Sequence, residues 1–471
     1  MKDNFFRRPA CRKSGDAAIN SAAAQGKMFS REDLRKLIVP LLIEQLLLML
    51  VGMVDTIMVS RAGEAAISGV SIVNDINALI IQLLAALAGG GAVCVTQYLG
   101  NHDEEDTRLA SSQLVMITAV ISSLIAVFNL VLYRQILDVL YGSVDTDVME
   151  AARIYFRITA LSFPFLGIYN SGTALFRSMN KTDVTMRVSF LMNTINIAGN
   201  YLGVYILNQG VAGVAWPTLI SRVAASFIII CLAFNRGNSI CIEWSKIFRW
   251  SRPILRKILA IAVPNGTENG LFQLGKILVS IIVATYGTSQ IAANGVMNSL
   301  STLNYTSECA MELAVVTVIG VCVGAGDYDQ ADDYTHRMIR LSYYLVIANN
   351  VIVFLITPFA LKLYHLGPET ERLSFTLIIL DCIFIAIQHP PAFVLPCCLR
   401  AAGDATYTML VGVISMFLCR VGGSYILGTL FGMGVIGTKL AWYIDWQARI
   451  IFFVRRYRSG KWKLYRLVDK K

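Results

Sequence analysis

Charge is scarce in this chain. Of its 471 residues only 15% are charged and 55% are hydrophobic, and the mean hydropathy is +0.59. A soluble surface of that size needs more charge. No polar linker divides the sequence into compositionally distinct parts, which excludes the string of soluble domains that such a length would otherwise suggest. No Gly-rich loop ends in Lys-Ser or Lys-Thr, so the chain has no phosphate cradle for hydrolysing a nucleotide. There are four histidines and ten cysteines. The cysteines are scattered, several of them (Cys94, Cys309, Cys322, Cys382, Cys419) inside apolar segments, without the spacing of a disulfide framework or a zinc site. The opening "MKDNFFRRPACRKSGD" is basic but lacks the apolar core of about 7 to 15 residues that a signal peptide carries. Residues 1–35 therefore read as a mobile cytoplasmic tail.

What is abundant is long apolar sequence. Stretches of roughly 20 to 28 residues recur, each long enough to cross a hydrocarbon layer of about 30 Å. They predict an all-α polytopic membrane protein of about twelve transmembrane helices, beginning near Lys36, Val70, Thr107, Ala151, Asp183, Gly210, Ile254, Ile291, Thr335, Arg372, Ala405 and Gly434. Short cytoplasmic loops retain Lys and Arg. With the N-terminus inside, 31 of the 41 basic residues fall in inner segments, against six (Arg61, Arg134, Arg153, Arg157, Lys362, Arg372) in outer ones. Both termini are thus expected in the cytoplasm and the chain in the plasma membrane. The net charge of +10 lies where anionic headgroups would meet it, so the partner it implies is the lipid bilayer and not nucleic acid.

The chain repeats itself. A shift of 224 residues places "VPLLIEQLL" on "VPNGTENGL", pairing Val39 with Val263, Pro40 with Pro264 and Glu44 with Glu268. It also pairs Gly63 with Gly287, Ile67 with Ile291, Gly100 with Gly324 and Asp103 with Asp327; at a shift of 223, "LFRSMNKTD" meets "CLRAAGDAT". Six helices per repeat return the chain to its starting side, so the repeats are parallel. They delimit a six-helix lobe over 36–235, a cytoplasmic linker over 236–253, a second six-helix lobe over 254–457 and a basic cytoplasmic tail over 458–471. The linker's "IEWSKIFRWSRPILRK" reads as a tether lying on the anionic inner leaflet. Duplicated lobes rocking about a shared site are a transporter's device, and a monomer suffices for it.

Ionisable groups inside a bilayer are costly, so each is a functional candidate. In "LLLMLVGMVDTIMVS" the carboxylate of Asp55 sits about 9 Å below the outer end of its helix, at 1.5 Å per residue. Asn196 and Asn200 in "NTINIAGN" share a face of the fifth helix, and Thr218 in "AWPTLIS" lies on the sixth. All four fall within roughly the same 9 to 18 Å of depth. Hard oxygen ligands of this kind suit Na⁺ or a proton relay.

The combination of "VDTIMVS", "YLGNHDEED" with "VGAGDYDQAD", "NIAGN", "GVAGVA" and "LRAAGD" resembles the multidrug and toxin extrusion (MATE) family of antiporters, over residues 36 to 457. The resemblance implies two six-helix lobes around a central cavity. It also implies export of small molecules, mostly cationic or amphipathic, driven by Na⁺ or H⁺ without a cofactor. It makes Asp55 the coupling aspartate and possible Na⁺ ligand, Asn196 and Asn200 its fifth-helix partners, and Thr218 its sixth-helix hydroxyl. The repeat partner of Asp55 is Val279, which confines this site to one lobe. Where some members have an acidic tenth-helix residue this chain has His389, and their seventh-helix glutamate is replaced by Phe272, one turn beyond Glu268.

Five further residues are candidates for the substrate cavity. Glu308 and Glu312, spaced i, i+4, could hold a cationic substrate or pair with a base such as Lys276. Glu44, Glu268 and His389, together with Glu308, fall roughly 24 to 29 Å from the outer helix ends and are expected on the cavity floor. Asp381 reads equally as structural or functional. "DYDQADD" lacks the Gly and terminal Glu of a calcium loop and reads as a cap on the ninth helix. The alternative in the same wider superfamily, a flippase of lipid-linked oligosaccharides, would favour about fourteen helices and a strongly cationic cavity. A membrane-embedded enzyme would want a paired-aspartate metal site, and no convincing one is present.

Overall fold

The computed structural model describes residues 27–468 apart from residues 62, 143, 236 and 365. Residues 1–26 of the expected N-terminal tail and 469–471 of the C-terminal one lie outside the described residues. Twelve rods follow one another, each joined to the next by a short turn except across the repeat boundary. They are α1 (Arg31–Ser60), α2 (Glu64–Gly100), α3 (Glu104–Tyr141), α4 (Thr146–Leu161 and Phe163–Ser178), α5 (Thr182–Tyr201, prolonged by a π turn over Leu202–Ile206) and α6 (Ala212–Ala233). The second half repeats the series as α7 (Arg252–Ala284), α8 (Thr288–Ala325), α9 (Tyr328–Leu363), α10 (Pro368–Ala401), α11 (Ala405–Leu430) and α12 (Gly434–Arg458). Eight of them are, by length and composition alone, long and apolar enough to cross a membrane. Side chains such as Leu124, Val131, Phe227 and Phe359 stand outward and exposed, as a lipid-facing surface requires.

The repeat is visible in local structure. Pro40 and Pro264 occupy corresponding places inside α1 and α7. Asp103 caps α3 by accepting from the Asp106 N–H at 3.2 Å, and Asp327 caps α9 by accepting from Gln330 at 3.0 Å, which is the role expected for "DYDQADD". The halves meet along α2, which lies against α7 and α8, while α1 lies against α8. At the terminus-side ends of α2 and α8 the backbones touch. A Cβ on Gly100 would fall 2.1 Å from the Val321 carbonyl oxygen, and one on Gly324 would fall 2.2 Å from that of Gln97. Gln97 and Val321 are themselves repeat partners, so the local twofold axis passes through this contact.

Two ends differ from the expectation. α1 starts at Arg31, five residues earlier than its apolar run, because Ser30 and Asp33 close a reciprocal capping box. Just before it, the Phe29 amide donates to Tyr334 Oη at 2.9 Å and the Met28 amide to Gln330 at 2.8 Å, which ties this segment to α9. The linker is likewise docked. Gln113 of α3 donates to the carbonyls of Lys246 and Arg249 at 3.0 and 2.7 Å, Arg108 pairs with Glu243 at 3.3 Å, and Ile240, Cys241 and Ile242 are buried. The expected tether is therefore packed against the first half by amide-to-carbonyl bonds and a buried apolar triplet, while Trp244, Phe248 and Trp250 stay exposed.

Candidate ion and substrate site

Three helices bring the four residues of the expected coupling site together. Asn200 Nδ2 donates to Asp55 Oδ1 at 2.7 Å and to Asn196 Oδ1 at 3.2 Å, and Asn196 Nδ2 donates to Thr218 Oγ1 at 3.2 Å. Thr218 Oγ1 in turn donates to the Val214 carbonyl at 3.0 Å. The result is one unbroken chain from the carboxylate on α1, through both amides on α5, to α6. Backbone shape permits it. Gly199 sits between the two asparagines against Pro217, whose ring lies where a Cβ on Gly199 would come within 2.6 Å, so α5 and α6 approach closely just beside Thr218.

Asn196 and Asn200 are buried and Asp55 is half-buried. Asn200 Oδ1 is buried without a hydrogen-bond partner, which leaves an acceptor oxygen beside the carboxylate. A buried acceptor of this kind calls for a proton or a cation, and the all-oxygen set fits Na⁺ equally well. Asp55, Asn196 and Thr218 line a cavity of 310 Å³ that is also walled by Tyr155, Asn193 and Arg222. Val279, the repeat partner of Asp55, is buried in an apolar cluster.

Arg222 is a site residue that the sequence reading passed over. It stands four residues after Thr218, hence on the same face of α6, and its Nη1 donates to Ser162 Oγ at 2.7 Å, at the break in α4. That spacing was the available signal.

The expected substrate residues fare differently. Glu44 is buried and accepts from Arg177 at 2.8 Å and from Thr185 at 2.9 Å. Glu268 accepts from Arg400 at 3.1 Å. Both expected cavity-floor carboxylates are thus paired with half-buried arginines. Glu308 is buried and takes Ser342 Oγ on both oxygens, at 2.7 and 2.9 Å. His389 lies 3.7 Å from it and stacks on Phe393 at 4.3 Å. Both are buried, and His389 Nδ1 has no hydrogen-bond partner. Glu312 alone of the five has no ion pair among the described residues. Asp381 accepts from Ser301 and Tyr443, and Lys276 forms no ion pair with Glu308 or Glu312.

The interior of the second half carries bases as well as acids. It holds a second motif that the sequence reading did not assemble, in which Asp445 is gripped by Arg420 at 2.6 Å and by Arg449 at 3.0 Å.

A helical multi-pass protein with duplicated halves, a buried oxygen cluster in one half and a cavity beside it has the architecture of a secondary transporter. The chain belongs to the MatE family, whose model matches residues 40–202 and 264–426, once in each repeat; its members are transporters and not enzymes. An uncharacterized transporter of Bacillus subtilis, YisQ, is 27% identical over 469 residues, covering 98% of this chain and 99% of its own. A probable multidrug resistance protein of Thermotoga maritima, NorM, is 23% identical over 446 residues, with coverage of 92% and 93%. A solved outward-facing structure of a multidrug resistance MATE family transporter of the MOP superfamily superposes with a TM-score of 0.84 at 19% identity, covering 91% of this chain and 96% of that one.

Proposed function

We propose that the chain is a secondary active antiporter that exports organic compounds, cationic or amphipathic, in exchange for Na⁺ or H⁺, with coupling at Asp55. The observation that carries this reading is the 2.7 Å bond from Asn200 to Asp55 beside the unpartnered Asn200 Oδ1. A carboxylate there is costly when the cavity closes dry and much less so once a proton or Na⁺ neutralises it. Binding of the driving cation thereby biases the lobe against the state the substrate favours, a coupling typically of about 1 to 3 kcal/mol and reciprocal between the two ligands. Asn196, Asn200 and Thr218 hold the carboxylate; a monomer with lobes over 36–235 and 254–457 does the work. The excess of Lys and Arg on the terminus side supports cytoplasmic termini in the plasma membrane.

A cationic substrate was expected to meet Glu268, Glu308 and Glu312. With Glu268 paired and Glu308 satisfied, only Glu312 is left for that task.

Counterflow in proteoliposomes, with Na⁺ and pH gradients imposed separately, tests the proposal. Asp55→Asn keeps the shape and removes the charge; it should insert and fold normally yet lose gradient-driven efflux, whereas Val279→Ala should remain active. Wild-type pumping by Asp55→Asn under either gradient would remove Asp55 from the mechanism.

A further inference from the structure

Four cations converge in the second half where the first half has its carboxylate. Lys276 on α7, Arg420 on α11, and Lys439 and Arg449 on α12 surround the aromatic faces of Phe272 and Trp442. The Arg420 guanidinium lies 4.8 Å from the centre of Phe272 and 4.4 Å from that of Trp442; Lys439 Nζ lies 3.9 Å over Trp442, and Lys276 Nζ 5.3 Å over Phe272. Lys439 is within electrostatic reach of Asp381, Arg420 and Lys276.

The nearby carboxylates do not balance this charge. Asp445 is shared by Arg420 and Arg449, and Asp381 keeps its charge while accepting from the neutral hydroxyls of Ser301 and Tyr443, so these two acids face four cations. Among the described residues neither Lys276 nor Lys439 has an acidic partner within ion-pair distance, and Lys439 Nζ donates only to the neutral Asn298 Oδ1, at 3.3 Å. Arg420 is wholly buried, yet its Nη1 has no hydrogen-bond partner, and neither has the buried Trp442 Nε1. Buried donors left in this state are costly, and a ligand acceptor would relieve them. The cluster is open at one end. Lys276 and Asn298 are exposed while Lys439 is buried, so the cluster reaches from the surface of the helix bundle to its interior. A lysine in mid-helix at this depth faces water and not hydrocarbon.

We propose that this cluster is an anion-recognition site, in which Lys276, Lys439 and Arg420 bind the carboxylate of an aromatic organic anion whose ring lies along Phe272 and Trp442. The proposal deepens the export reading by naming a substrate class for the second lobe. It is tested by binding alone, without a gradient, so its outcome does not depend on whether Asp55 couples transport. It also suits a chain whose second lobe carries Val279 in place of a coupling carboxylate, because an anion is then not repelled by one.

The experiment compares two dyes sharing one ring system, the anion fluorescein and the cation rhodamine 6G, by fluorescence anisotropy on the purified full chain in detergent. Fluorescein should bind, and Lys276→Gln and Lys439→Gln should each weaken it about tenfold, the loss expected for one charge-assisted hydrogen bond. Rhodamine 6G should be held no less tightly by these variants. Lys276→Arg, which keeps the charge, should restore fluorescein binding. The lysines are chosen because neither holds a structural ion pair, and an unchanged Tm for each variant verifies folding. No fluorescein binding to the wild-type chain, an unchanged Kd in both folded glutamine variants, or an equal loss for both dyes would overturn the proposal.

Discussion

Arg177 closes on Glu44 at 2.8 Å in the first half, and 223 to 224 residues later Arg400 closes on Glu268 at 3.1 Å in the second. The same pair thus appears twice, each time joining the first helix of a lobe to the repeated Arg motif at the end of its fourth. Removing one member of a buried pair leaves an uncompensated charge, at a cost of about 3 to 5 kcal/mol. Arg177→Ala and Arg400→Ala should each lower Tm in detergent, whereas the double change Glu44→Gln with Arg177→Gln, which removes both charges, should recover much of the loss. A Tm for Arg177→Ala equal to that of the wild-type chain would mean the pair carries no structural load.

The seam between Gly199 and Pro217 makes a separate expectation. A methyl group there meets the proline ring at 2.6 Å, and overpacking of this kind typically costs about 1 to 3 kcal/mol. Gly199→Ala should separate α5 from α6, loosen the bond from Asn196 to Thr218, and reduce efflux while leaving the second half intact. Efflux at the wild-type rate together with an unchanged Tm would show that the seam has room to relax.

Arg222 shares a cavity with Asp55 and repels any cation that enters. Arg222→Gln should lower the concentration of the driving cation needed for half-maximal efflux by about threefold or more, as expected for removing a like charge at moderate effective dielectric. Titrating the driving gradient in proteoliposomes reads this directly. A higher half-saturating concentration would instead make Arg222 a support for the carboxylate's geometry.

The fold was largely legible in the sequence, because hydrocarbon thickness imposes a length on each span and duplication imposes a register. Asp55, Asn196, Asn200 and Thr218 were also legible, since equal depth on neighbouring helices is enough to suggest that they meet. What depth cannot supply is azimuth. For Glu44 and Glu268, nothing along the helix axis says that Arg177 and Arg400, at the ends of other helices, turn back to meet them. For the same reason Arg420 and Asp445, 25 positions apart, were not joined. The docked linker was missed because its contacts come from Gln113 and Arg108 on a helix read only as apolar.

Past α12, Arg466 Nη2 donates to Asn101 Oδ1 at 2.9 Å and to the Gly324 carbonyl, and the Leu467 amide donates to Gln97 Oε1 at 2.9 Å. These bonds tie the terminus-side ends of both halves to one C-terminal segment. Arg466→Ala should increase the population in which that side is open. Spin labels at Glu105 and Asp329, exposed repeat partners on the two halves, should then show a longer mean separation. An unaltered distance distribution would make this segment a passenger.

The contact of Gly100 with Val321 and of Gly324 with Gln97 bears on the speed of the cycle. Where backbone meets backbone few side chains must withdraw or re-sort their rotamers, the Thr96 side chain packed against Gly320 one turn away being one that must. Such a seam has the character of a smooth latch. It can be tight at rest and yet release with little unpacking, which leaves the few polar ties around it, Arg466 among them, to set how often it lets go.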